Sequence, residues 1–174
     1  MNKAALETKL TAAHQEFINY IKNLSEEEFL QMPGGKWSAG QELRHIYLSV
    51  KPFAQVLMAP KWLLKIVWGQ ANRESRSYDE LVKKYQDKLR NGGRATGRFI
   101  PRPVPVEKRD LLAAKLQSAL YDLNKKLGRF EEEELDRYIL PHPLLGKLTV
   151  REMLFFTVYH VQHHQRLCRE KLGK

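Results

Sequence analysis

Thr149-Val-Arg-Glu-Met-Leu-Phe-Phe-Thr-Val-Tyr-His-Val-Gln-His-His-Gln-Arg-Leu-Cys-Arg-Glu-Lys-Leu172 is the stretch on which the fold turns. Its start is marked twice. The Thr149 hydroxyl is placed to accept from the backbone N–H three residues on, and Glu152 to reach back to the Thr149 N–H, forming a capping box. Gly173 supplies a C-terminal stop. Between these marks Met153, Phe156, Thr157, His160, His164, Leu167 and Lys171 recur at helical spacing on one side. The pattern predicts a long helix with two imidazoles, one turn apart, aimed inward. Such a pair can share one first-row metal ion, or its members can be packed, polar-tipped core residues. His45, on another helix, is the third candidate.

The same punctuation recurs upstream. Leu6, Leu10, Ala13, Phe17, Tyr20, Ile21 and Leu24 give one apolar helical face, and His14, offset from that stripe, reads as a surface or boundary residue. Ser25 and Glu28 cap a short turn that Met32-Pro33-Gly34-Gly35 breaks. Ser38 and Gln41 open the helix that carries His45, which Pro52 is expected to kink or end. On that helix Ser38, Gln41, Glu42, Leu48 and Ser49 share the side of His45. This polar seam either borders solvent or holds hydrogen-bonding partners around a metal.

Pro60 to Trp68 is a short apolar helix ended by Gly69, suited to covering one end of a bundle or to a dimer surface. Ser77-Tyr78-Asp79-Glu80 starts a helix through Leu89, with Leu81, Val82, Tyr85 and Leu89 as its apolar stripe. Another helix runs through Leu111, Leu112, Leu116, Ala119, Leu120, Leu123 and Leu127 to Gly128, all these leucines being read as inward. Tyr138 to Leu148 reads as a rigid loop with His142 between two prolines, a turn histidine able to approach a metal pocket. With no convincing period-two strand, the expectation is an all-α helix bundle of four principal helices plus short ones. Residues 1–174 form one domain, with its site built from inward side chains of facing helices.

Composition narrows the chemistry. The single cysteine, Cys168, excludes an intrachain disulfide and a thiolate-rich zinc site, leaving imidazole and carboxylate ligands for zinc, nickel, iron or manganese. Thirty Lys and Arg against 20 Asp and Glu give a net charge of +10, which favours anionic partners. The cations are dispersed and no familiar nucleic-acid motif accompanies them, so nucleic acid ranks last among the partners. Arg94, Arg98 and Arg102 lie in the Gly- and Pro-rich segment from Asn91 to Pro105, either as a solvated crossover or as an anion site. The apolar runs are too short to span a bilayer, and the N-terminus lacks a signal-peptide core, so a soluble, cytoplasmic protein without membrane association is expected.

Trp37-Ser38 leading to His45, His142-Pro143-Leu144-Leu145-Gly146-Lys147-Leu148-Thr149, and Tyr159-His160-Val161-Gln162-His163-His164 together resemble the DinB-like family of metal-dependent four-helix proteins, distinct from the DNA polymerase that shares the name. The resemblance covers nearly the whole chain in order. It implies an up-down-down-up bundle with a long crossover, a divalent-metal site at His45, His160 and His164, and a homodimer. His163 is left flanking, as a supporting or substrate-binding residue. One departure is that no aspartate follows His45 in the next turn, where some relatives have an acid and this chain has Ser49. The functional expectation is a metal-dependent hydrolase or low-molecular-weight-thiol S-transferase acting on a small molecule. Glu42 is its candidate base or orienting group. The alternatives are a non-catalytic metal-binding stress or scaffold protein and, last, a basic nucleic-acid binder.

Overall fold

Four Ser/Thr-x-x-Glu/Gln pairs each open a helix, with both reciprocal hydrogen bonds of the capping box formed. They are Ser25 with Glu28, Ser38 with Gln41, Ser77 with Glu80, and Thr149 with Glu152. In the computed structural model, which describes residues 1–173, these and four further starts define eight helices among the described residues. They are α1 (Lys3–Lys22), α2 (Glu26–Leu30), α3 (Ala39–Val56), α4 (Lys61–Trp68), α5 (Tyr78–Arg90), α6 (Arg109–Leu127), α7 (Glu134–Arg137) and α8 (Val150–Leu172). The class is all-α, as the periodicity implies. Gly173, at φ 67°, closes α8 in the left-handed conformation.

Contacts at the helix ends fix the directions of the bundle. The Met1 carbonyl accepts from Arg151, and the Glu16 carboxylate accepts from Gln165, so α1 and α8 run parallel. Arg109 at the start of α6 donates to the Leu24 carbonyl, and Arg129 just past its end donates to the Met58 carbonyl beyond α3. Helices α3 and α6 therefore descend together between the two ascending helices, giving up-down-down-up order. The crossover from α3 to α6 holds α4, α5 and the segment from Asn91 to Pro105. Helix α5 climbs beside α8, with Tyr78 edge-on to Phe155 and Tyr85 edge-on to Phe156.

Helix α8 is buried on nearly every side from Glu152 to Val161, because α1, α3, α5 and the preceding hairpin all pack on it. It is the axis of the molecule, and whatever polar groups it carries at that depth need partners.

Three expectations are corrected, and a fourth, the kink or end at Pro52, is narrowed. Pro52 does not end its helix, since α3 continues to Val56 and keeps Phe53 and Ala54, with Leu57 as its cap, in the core. That burial offsets the roughly 3 kcal/mol a mid-helix proline costs. Residues 139–149 are an antiparallel hairpin rather than a loop, with β1 (Ile139–His142) paired to β2 (Gly146–Thr149). Leu111 is 55% exposed, because the inward line of α6 is Ala113, Leu116, Leu120, Leu123 and Leu127, and Leu111 lies off it. His14 is fully buried, turned into the α1 interface by a hydrogen bond from its Nδ1 to the Leu10 carbonyl at 2.8 Å.

Candidate metal centre

His45 projects from the middle of α3, and His160 and His164 project from α8, all three buried where these antiparallel helices face each other. The His45 Nδ1 lies 2.8 Å from the Phe99 carbonyl oxygen. A carbonyl only accepts, so the ring proton sits on Nδ1 and Nε2 carries a lone pair. His164 repeats the arrangement with a stronger acceptor, its Nδ1 lying 2.5 Å from the Glu42 carboxylate.

The two Nε2 lone pairs converge on Nε2 of His160, at 3.2 Å from His45 and 3.0 Å from His164. A single proton on His160 cannot satisfy both neighbours. Three imidazole nitrogens brought this close, with two of them obliged to be acceptors, form a donor set that suits a divalent cation. The three ligand atoms all lie within 4.8 Å of one another, and the residues present therefore fit a metal ion.

Burial favours the neutral form of His45 and His160. Burial pushes the His45 pKa down to about 4, aided by the charge of His164, and the Phe99 carbonyl only partly opposes this. Burial and the neighbouring histidines hold His160 well below the usual imidazole value. For Glu42, burial alone would raise the pKa, but hydrogen bonds and charge from His164 and Lys171 outweigh it and keep the carboxyl below its ordinary value. Lys171 Nζ pairs with the other Glu42 oxygen and donates to the Trp37 carbonyl at 3.0 Å. The Trp37 ring, stacked 6.3 Å from His164 and tilted 5.0 Å from His45, walls off that side.

The remaining sequence candidates are placed as follows. His163 borders the site without joining it; its Nδ1 accepts from Arg166 at 3.1 Å, so its proton rides on Nε2. His142 accepts the Leu144 and Leu145 backbone N–H groups at Nδ1, both at 3.1 Å, and its ring meets Phe156 at 4.3 Å. It shapes the hairpin turn and stands in the wall beside the centre. Ser49 donates to the carbonyl of His45 at 2.9 Å, so its hydroxyl braces α3. Cys168 is buried, and burial together with the Glu42 charge pushes its thiol up to about 12, so it remains an unreactive thiol.

The triad opens on a cleft of about 1040 Å³ lined largely by apolar side chains from α3, α8, the hairpin and the crossover. Tyr85 lines it too, its ring edge-on to His160 and His163 at 6.0 Å each. Sequence reading counted Tyr85 as one more apolar residue in the α5 stripe, and only its phenolic oxygen, unusual in a Leu/Val line, signals otherwise. Phe99, whose carbonyl orients His45, carried no signal, because backbone groups are invisible to residue type.

A family model described as the DinB superfamily matches residues 9–168. A Bacillus subtilis (strain 168) protein described as uncharacterized protein YuaE is 24% identical over 165 residues, which cover 91% of each chain.

Proposed function

We propose, from the premise that the chain belongs to the DinB superfamily, that it is a metal-dependent enzyme. Its reaction is hydrolysis or S-transfer of a low-molecular-weight thiol, with His45, His160 and His164 as ligands of a divalent ion. Zinc or nickel suits three imidazoles best, followed by iron or manganese. One observation carries the reading: two imidazole lone pairs, fixed by the Phe99 carbonyl and the Glu42 carboxylate, meet a third ring nitrogen at the head of a cleft large enough for a small-molecule substrate.

A divalent ion held there supplies Lewis acidity, lowering the pKa of a water or thiol brought to it and polarising an electrophile. The chain's own residues do the rest. The Phe99 carbonyl and Glu42 fix the tautomers of His45 and His164 so that Nε2 faces the centre. Lys171 keeps Glu42 ionised, and with both carboxylate oxygens engaged Glu42 acts as an orienting group rather than a free base. Trp37 and Phe156, which stacks on His160 at 4.6 Å, exclude water from two sides. The same reading takes residues 1–174 as one domain of a cytoplasmic homodimer.

The test is metal content by mass spectrometry on untagged protein, comparing the parent with His45→Ala, His160→Ala and His164→Ala. Near-stoichiometric metal in the parent, lost in each variant, supports the shared site and directs thiol-transfer and hydrolysis assays with that metal. A parent that carries no metal and takes up neither zinc nor nickel defeats the reading.

A further inference from the structure

The segment bearing Arg94 and Arg98 is docked at both ends. Where it leaves α5, the Gly92 and Gly93 N–H groups donate to the Leu89 and Lys88 carbonyls at 3.1 and 2.8 Å. A Cβ on Gly93 would stand 2.7 Å from that Lys88 oxygen, so only glycine permits so tight an exit. Further on, the Phe99 carbonyl accepts from His45, and the Pro101 carbonyl accepts from Gln41 Nε2 at 3.3 Å. Between these anchors Arg94 and Arg98 both line the cleft and both are exposed, which places them at its rim, where exposed Lys36 joins them. Arg102, the third arginine of the segment, does not line it.

Among the described residues, Lys36, Arg94 and Arg98 have no carboxylate partner. Arg94 donates to its neighbour's carbonyl at Gly93, and Arg98 stands 5.2 Å over the Phe99 ring. Glu42 is the one acidic residue lining the cleft among the described residues, and Lys171 already meets its charge. Three positive charges therefore look onto walls built from such residues as Val50, Phe53, Trp68, Leu140 and Met153. Low-dielectric walls focus that field on whatever enters.

We propose that the cleft takes an amphipathic anion, a small molecule whose acidic oxyanion head is held by Arg94 and Arg98 at the rim and whose apolar body packs against the cleft walls. Guanidinium groups match carboxylate and phosphate oxygens with paired hydrogen bonds, and the apolar remainder gains by leaving water. The proposal names the substrate class of the site described above and rests on that reading for the reaction, while binding itself needs no metal.

Trp37 and Trp68 both line the cleft, so their fluorescence reports occupancy. The full chain, as purified and again after dialysis against a chelator, is titrated with decanoate, decanol and decyltrimethylammonium. Decanoate is expected to bind both forms roughly tenfold tighter than decanol. The Arg94→Ala/Arg98→Ala double variant should erase the difference, and Arg94→Glu/Arg98→Glu should turn the preference toward the ammonium. Circular dichroism checks that these rim variants stay folded. Equal binding of decanoate and decanol, or a preference that neither double variant alters, overturns the proposal. A decanoate preference present only in metal-loaded protein and indifferent to both doubles would place the head on the metal, supporting the metal centre and sinking the arginine site. A preference that survives in a parent unable to bind metal would do the reverse.

Discussion

Both carboxylate oxygens of Glu42 are engaged, one by His164 and one by Lys171, and this separates two roles that activity loss alone would not. In Glu42→Gln the amide has one acceptor instead of two, and its NH₂ competes for the His164 Nδ1. The wrong tautomer then puts hydrogen on the Nε2 where a lone pair is needed. Metal affinity should fall about 10- to 100-fold, measured by competition with a chromophoric chelator. Unchanged affinity with abolished turnover would instead make Glu42 a base. His14 supplies a second test. Burial lowers its pKa to about 4, against 6.5 when unfolded, and its Nε2 has no hydrogen-bond partner among the described residues. Between those values the unfolded chain binds more protons, so stability falls as pH drops from 6.5 toward 4. At pH 5 this one group costs about 2 kcal/mol. His14→Leu should be near parent stability at pH 7 and more stable at pH 5 by about that amount, as read from urea unfolding. A variant less stable than the parent at pH 5 refutes the assignment. His160 and His164 were legible because two imidazoles fell on one side of a capped helix. The buried state of His14 was not, because its own Leu10 carbonyl lets an off-stripe imidazole enter the interface.

At the scale of elements, Glu152 does more than its capping box announces. Besides the Thr149 N–H it accepts two bonds from Arg73, at 2.7 and 2.8 Å, and both the backbone N–H and the guanidinium of Arg76, at 2.8 and 3.0 Å. The carboxylate is buried, and it pins the start of α8 to the crossover before α5. Glu152→Ala leaves two guanidinium groups, each about one-third exposed, without their carboxylate, and unfolding free energy should drop by about 2–3 kcal/mol in denaturant titration. A loss under about 1 kcal/mol, the scale of a lost cap, would mean the arginines contribute nothing. Thr149-x-x-Glu152 could be read from sequence because a cap is local. The partners lie 79 and 76 residues away in sequence, and nothing local in an arginine says which carboxylate it will meet. The hairpin escaped for a related reason. Ile139–His142 and Gly146–Thr149 are four residues each and carry two of the chain's prolines nearby, too short for a period-two pattern to stand out.

For the whole molecule, capped helices with apolar stripes made the bundle legible, and its helix order and long crossover came from the family resemblance, while the cleft was not legible, because its walls come from segments that periodicity cannot orient. One exposed feature bears on assembly: Trp62 and Ile66 on α4 are 63% and 72% exposed. If that face is the homodimer surface, Trp62→Lys/Ile66→Lys should convert the parent to monomer in sedimentation velocity, and a parent already monomeric would remove the dimer from the reading.

The triad joins α3 to α8, so a bound ion would cross-link two helices that already pack on each other and bury apolar side chains in the core, Leu43, Ile46 and Val50 from α3 and Leu154, Val158 and Val161 from α8. Stabilisation by a ligand grows as the logarithm of its excess over the dissociation constant, about 4 kcal/mol at a thousandfold excess. In a chain of this length each kcal/mol moves Tm by about 2–4 °C, so chelation should lower Tm by about 8–16 °C. The helical circular-dichroism signal at 25 °C should persist, because the core does not depend on the ion as a zinc finger's does. Loss of that signal on chelation would make the ion a structural clamp and weaken the case for an open catalytic site. An unchanged Tm in protein shown to carry metal would mean that the ion sits somewhere other than between α3 and α8.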